Sequence, residues 1–155
     1  MTDALPPLPL IGLAPKAFAA VNALHGAVEE AAATAGLEPI LLELVRLRCS
    51  QINGCVYCVD LHTTAARRAG EKENRLAQLV VWRQSELFTE RERAALALAE
   101  AVTLVHDRDG GRALHRTART VLAEPEAASV AWAATVVNTY NRIAVTSRPI
   151  AAAGV

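Results

Sequence analysis

The fold is decided by one stretch, Glu43-Leu44-Val45-Arg46-Leu47-Arg48-Cys49-Ser50-Gln51-Ile52-Asn53-Gly54-Cys55-Val56-Tyr57-Cys58-Val59-Asp60-Leu61-His62. Its first half continues a helical pattern opened by Glu38-Pro39, with the proline at the first helical position, where its missing N–H costs nothing. Leu41, Leu44, Val45, Arg48 and Ile52 follow one face of that helix. Asn53-Gly54 then breaks the chain, and the next helix is expected from Cys55 to Gly70. If the two helices fold back on each other about Asn53, Glu43 falls opposite His62. Cys58, four residues before His62, shares its helix face. A carboxylate, an imidazole and a thiol are therefore expected to converge.

Working outward, helix signals recur on both sides. Phe18, Val21, Leu24 and Val28 repeat at helical spacing in a pattern that runs to Gly36, a residue suited to a C′ position. A further helix covers roughly Lys72 to Trp82. Thr89-Glu90-Arg91-Glu92 reads as a capping box opening the helix that carries Leu96 and Val102. His106-Asp107-Arg108-Asp109-Gly110-Gly111 reads as a turn-rich loop, followed by a helix over Arg112 to Ala123. Glu124-Pro125 restarts the pattern, and Trp132, Val136, Tyr140 and Ile143 stack along a last helix that stops before Pro149. No stretch of clean alternation competes with these helices, and no repeat or linker divides them. The expected architecture is all-α, a single-domain bundle of about six to seven helices with the Cys-x-x-Cys at a helix N-terminus. Residues 1–14 form an irregular, proline-punctuated arm, 15–148 the helical domain and 149–155 a tail.

Composition narrows the function classes. A chain of 155 residues has room for one domain with a real core. Lys plus Arg and Asp plus Glu are equal at 16 each, so there is no excess positive field to collect phosphates or anionic lipid, and nucleic acid is not expected as a partner. Hydrophobic residues make up 52% but aromatics only 4%, so the interior must be built from Ala, Leu and Val in closely approaching helices. The start, Met1-Thr2-Asp3 before Pro6-Pro7, has no export signature. The longest apolar runs, such as Ala127 to Val137, are interrupted by Ser129 and Thr135 and fall short of a membrane span. A cytoplasmic location is expected. Three cysteines, an odd number, suit a reducing compartment better than a disulfide framework. Zero net charge, 52% hydrophobic content and an Ala- and Val-rich last helix also favour a homo-oligomer.

The chemistry concentrates at Cys55 and Cys58. A Cys-x-x-Cys at a helix start puts one sulfur in the opening turn and the other a turn later, close enough to close a small disulfide ring. An ordinary thiol with pKa ~8.5 is only a few per cent ionised at neutral pH, and bringing it to half ionisation takes roughly 2 kcal/mol. A helix N-terminus supplies about 0.3–1 kcal/mol, so a further group must help. Glu43 as a carboxylate would repel a nearby thiolate, and its useful role is to orient His62. His62 can then act as general base toward Cys58, directly or through a water. A zinc site is the alternative for the pair, but only His62 and Glu43 remain as ligands. Haem attachment needs a histidine where Val59 stands. No metal or organic cofactor is called for. Cys49 is expected to be a buried small hydrophobe. His25, His106 and His115 are expected at the surface or in packing. Trp82 and Trp132 belong to the core or an interface. Asn138, Asn141 and Arg142 could line the site or a subunit contact, and the sequence does not decide.

The Glu43 to His62 run, followed by Ala65, Arg67 and Gly70-Glu71, resembles the core motif of the AhpD-like alkylhydroperoxidase branch of the carboxymuconolactone decarboxylase superfamily. Two weaker patches agree: Leu87 to Arg93 leading to Glu100-Ala101-Val102-Thr103, and Asn138 with Asn141-Arg142. The likeness covers about residues 15 to 148. It implies an all-helical fold, assembly as a homo-oligomer (a trimer or a multiple of it), and a thiol peroxidase or disulfide oxidoreductase. In that scheme Cys58 attacks a peroxide, Cys55 resolves the sulfenic acid, and His62 with Glu43 forms a proton relay. A peroxide substrate and an external dithiol or protein reductant are then the partners. The chain departs from the best-known members in placing Tyr57, not a histidine, before the second cysteine. The alternatives are a non-enzymatic redox-sensing or interaction protein that uses the same pair as a switch, and ring chemistry of the decarboxylase type with no thiol role.

Overall fold

The computed structural model describes residues 6–147, and every regular element among them is helical. In chain order these are α1 (Leu10–Leu13), α2 (Pro15–Thr34), α3 (Pro39–Ile52), α4 (Val56–Arg68), α5 (Glu73–Gln78), α6 (Glu90–Thr103), α7 (Arg108–Val121) and α8 (Glu124–Ser147), with one 3-10 turn at Leu79–Val81. The expected all-α bundle is what the chain forms. The additional element is α1, a single turn within the proline-punctuated segment. The segment expected as one helix over 72–82 divides into α5 and the 3-10 turn. The tail expected at 149–155 lies outside the described residues.

One start differs from expectation. α7 begins at Arg108, inside the stretch read as a turn-rich loop, because Asp107 caps it by accepting a hydrogen bond from the Gly110 N–H at 3.1 Å. That cap lets the helix begin ahead of two glycines that would otherwise discourage it. The capping box at α6 is present as read: the Thr89 hydroxyl accepts from the Glu92 N–H at 3.2 Å, and the Glu92 carboxylate accepts from the Thr89 N–H at 2.8 Å.

Helix α3 is the axis of the bundle. Leu41, Leu42, Val45 and Cys49 face one hydrophobic cluster built with α2, α6, α7 and α8. Leu44 and Leu47 face a second, built with Ala66, Leu76, Leu79, Trp82, Phe88, Leu96 and Ala97. An apolar helix buried on two sides is what a sequence reading Leu41-Leu42 and Leu44-Val45 with Leu47 dictates. The alanines do what composition required: Ala95 and Ala99 on α6 and Ala134 on α8 are wholly buried, and they let the backbones approach. Truncating Leu44 or Leu47, both essentially without exposure, costs about 2–5 kcal/mol.

Candidate active site

The turn between α3 and α4 sets the site. Gly54 takes φ +64°, in the left-handed region where a side chain is disfavoured. There the Cys55 N–H donates to the Ser50 carbonyl at 3.1 Å and the Gly54 N–H to the Gln51 carbonyl at 3.3 Å, a Schellman closure of α3. Cys55 is thereby placed as the N-cap of α4, its Sγ accepting from the Cys58 N–H at 3.3 Å. Cys55 and Cys58 form a disulfide with Cα atoms 5.3 Å apart. Both are buried.

The turn is tied to α8. The Asn53 side-chain amide donates to Asn138 Oδ1 at 2.7 Å and Asn141 Oδ1 at 2.8 Å. Asn141 in turn donates to the Ser50 hydroxyl at 3.0 Å, and Asn138 to the Thr103 hydroxyl at 2.9 Å. Sequence reasoning left Asn138 and Asn141 open between site and subunit contact. They are buried and hold the turn that precedes the cysteines. Arg142 donates to the Asn138 carbonyl at 2.9 Å.

The hairpin about Asn53 brings Glu43 to His62. His62 Nδ1 and Glu43 Oε2 are 2.8 Å apart, and a carboxylate acceptor there assigns the proton to Nδ1. Nε2 is then the nitrogen with a lone pair, the state a general base needs. The other Glu43 oxygen accepts from Arg46 at 2.5 Å, and Arg46 also pairs with Glu29 on α2. Arg46 is buried, which draws its guanidinium down to about 10, still charged at neutral pH. A single-sequence reading has no means to place Arg46 against Glu29, because the pair joins separate helices.

A cavity of about 290 Å³ opens beside these groups. Cys58, His62 and Tyr57 line it from α4, Arg46 from α3, and His25 from α2. Its apolar wall comes mainly from Val136, Val137, Tyr140 and Ile143 of α8. Tyr57 is about half exposed. His25, expected at the surface or in packing, is a wall of this cavity, while His106 and His115 are exposed. Cys49 is fully buried, and burial pushes its thiol up to about 11, so it stays an inert thiol. Trp82 is buried and Trp132 half exposed. Among the described residues no three His, Cys, Asp or Glu side chains gather as a metal-holding group. None of the described helices is long and apolar enough to cross a membrane.

The arrangement is an all-helical bundle with a disulfide at the start of one helix, backed by a His–Glu pair and opening on a cavity. The comparisons give that arrangement a family. The profile of the carboxymuconolactone decarboxylase family matches residues 15–101. The uncharacterized protein YdfG of Bacillus subtilis is 34% identical over 103 residues, 66% of this chain and 70% of that one. The uncharacterized protein YnjA of Escherichia coli is 35% identical over 103 residues, of which the match spans 55% of its length. A crystal structure from Agrobacterium tumefaciens, of a protein of unknown function named as a candidate antioxidant defence protein AhpD, aligns with TM-score 0.81 and 34% identity. That alignment covers 94% of this chain and 99% of that one. The chain belongs to the carboxymuconolactone decarboxylase family, on its AhpD-like branch.

Proposed function

We propose that this protein is a thiol-dependent peroxidase, a disulfide oxidoreductase in which Cys58 is the peroxidatic and Cys55 the resolving cysteine, with His62 and Glu43 as the proton relay. The observation that carries the reading is the 2.8 Å contact between Glu43 and His62 beside a cavity that Cys58 also lines. In the reduced protein, His62 Nε2 takes the Cys58 proton, and the thiolate sulfur attacks the terminal oxygen of a peroxide. The S–O bond forms as the O–O bond breaks, and the proton passes from His62 to the departing oxygen. Cys55 then displaces hydroxide from the sulfenic acid, closing the disulfide seen here and releasing water once protonated. An external dithiol or protein reductant reopens the disulfide. The similarity to the Agrobacterium protein supports a peroxidase-type antioxidant role.

A homo-oligomer, a trimer or a multiple of it, is part of this reading. Val56 and Leu61, beside the cysteines, and Trp132 and Val145 on α8 are exposed apolar residues that an assembly would cover. The test of the reading is asymmetry between the cysteines. With one equivalent of peroxide, Cys55→Ser should consume it and accumulate a sulfenic acid on Cys58 that dimedone traps, as read by intact mass and peptide mapping. Cys58→Ser should do neither. Equal trapping in both variants contradicts the assigned roles.

A further inference from the structure

Two imidazoles line the cavity, and the proposed relay uses one. His62 is held through Nδ1 by Glu43 at hydrogen-bond distance. His25 enters from a different helix, α2, and its Nδ1 stands 4.0 Å from Glu29, beyond hydrogen-bond distance. No short carboxylate bond therefore fixes its ring as Glu43 fixes that of His62. Tyr140 of α8 meets the His25 ring edge-on at 5.9 Å, which sets the plane of the imidazole at the cavity wall.

The charges facing His25 define its state. Glu29 lies on its own helix, Arg46 and Glu43 on α3, and His62 on α4, with Tyr140 on α8. Burial holds its pKa below 6.5, Arg46 and His62 act in the same direction, and Glu43 opposes them. At neutral pH the ring is uncharged and carries one N–H. The His62 relay already supplies the proton a departing alkoxide needs, so the neutral imidazole has only to hydrogen-bond, through its N–H, the negative charge that develops as the O–O bond breaks.

We propose that His25 is a catalytic hydrogen-bond donor to the leaving oxygen of the peroxide, a role separate from the His62–Glu43 relay. The inference rests on the peroxidase reading and adds the group that receives the second product. The electron count is unchanged: two electrons pass from the Cys58 sulfur to the peroxide, S–O forms and O–O breaks. The proton that leaves the thiol for His62 ends on the alkoxide, giving the alcohol. His25 gives up no proton; it lowers the energy of the alkoxide before that proton arrives.

Such a role makes the effect of His25 depend on the leaving group. Hydrogen peroxide expels hydroxide and tert-butyl hydroperoxide expels an alkoxide, both strongly basic and in need of a donor. Peracetic acid expels acetate, which needs none. The experiment is single-turnover oxidation of the fully reduced, full-length protein by each of the three oxidants, followed by quenched intact mass. Alkylation of Cys58 by iodoacetamide is measured in parallel. His25→Leu should slow oxidation by hydrogen peroxide and tert-butyl hydroperoxide about tenfold or more, yet change the peracetic acid rate and the alkylation rate less than about twofold. His25→Gln keeps an N–H donor and should retain most of the hydroperoxide rate. Equal slowing with all three oxidants, or no slowing with any, overturns the role of His25. A native protein whose Cys58 none of the oxidants touches overturns the peroxidase reading and this role with it. Normal alkylation in His62→Gln, by contrast, breaks the relay and leaves the His25 result standing.

Discussion

Glu43 and Glu100 are both acids drawn into the bundle, and each is paired with an arginine of α3, Arg46 for the first and Arg48 for the second. Their surroundings differ. Glu100 is 4% exposed and enclosed by donors: Trp82 Nε1 at 2.8 Å, Arg48 at 2.7 Å, and Arg83. Burial raises its carboxyl, and the hydrogen bonds from Trp82, Arg48 and Arg83 more than offset this and hold it below its ordinary value of 4.5. Trp82 is buried and Arg48 largely so, while Arg83 closes over the carboxylate from the exposed side, so none of the three opens on the cavity. Glu43 instead holds His62, whose ring continues to a cavity wall. The comparison teaches that a buried ion pair by itself marks nothing. What distinguishes a chemical site is a partner with one side fixed and the other facing open volume.

Substitutions at the two acids and at His62, and a change of pH, would break or sharpen that contrast. The largest effect is expected from Glu100→Gln, which leaves Arg48 without its counter-charge in the core. It should destabilise the fold by about 3 kcal/mol and lower the melting temperature by roughly 10 °C. Circular dichroism reads that loss, and Cys58 alkylation of the folded variant should stay within twofold of the parent. A variant that melts normally would mean that the enclosed acid is no more structural than the open one.

His62→Gln is the converse. Its melting temperature should move by only a few degrees, while iodoacetamide alkylation of Cys58 at neutral pH, in a Cys49→Ser, Cys55→Ser background, should slow about tenfold. That is the difference between a thiol near half ionisation and one at pKa ~8.5. An unchanged pH profile would remove His62 from the activation of the thiol. Glu43→Gln should act in the same direction and less strongly, because the hairpin still places the histidine nearby and the substituted side chain keeps an amide oxygen that can accept from Nδ1. The double variant should match His62→Gln alone, since the two changes disable one path, and additive slowing would show two independent paths.

The smallest effect is on acid stability. Glu100 has a folded pKa below its unfolded one, so its contribution is present above about pH 4.5 and is lost as pH falls through the folded value. Urea midpoints between pH 6 and pH 3 should therefore fall, and in Glu100→Gln they should fall less steeply. A parallel slope in the variant would assign the acid loss to other carboxylates, of which Glu92 is also held low, by Arg75 and the Thr89 N–H against its burial.

Much of this contrast was legible in the residues. The register of α3 against α4 follows from an apolar face, Asn53-Gly54 and the helical period, and it predicts the Glu43–His62 contact without coordinates. The Thr89 box and the helix starts at Pro39 and Glu124 read directly, because a cap or a proline is a local signal. Glu100 carries no such signal: Trp82 is 18 and Arg48 is 52 positions away, so only the packed bundle reveals the enclosure. Arg46 is hidden in the same way, since Glu29 lies 17 positions before it on another helix. His25 has Glu29 four residues on, a pairing that equally suits a solvated helix face, so nothing local marks it as a cavity residue. Asp107 was legible in principle as a cap, but Gly110-Gly111 made the loop the stronger local pattern.

The amides that pin Asn53 have a consequence in time. Asn138 and Asn141 lie 85 and 88 positions after it in the chain. During synthesis at about 5–20 residues per second, the cysteine turn leaves the ribosome roughly 4–17 s before its clamp exists. In that interval the thiols are part of a nascent chain with no finished cavity and no fixed cap geometry. The clamp on the cysteine turn is therefore completed only when α8 docks, and a truncated chain lacking α8 would carry the motif without the amides that hold it.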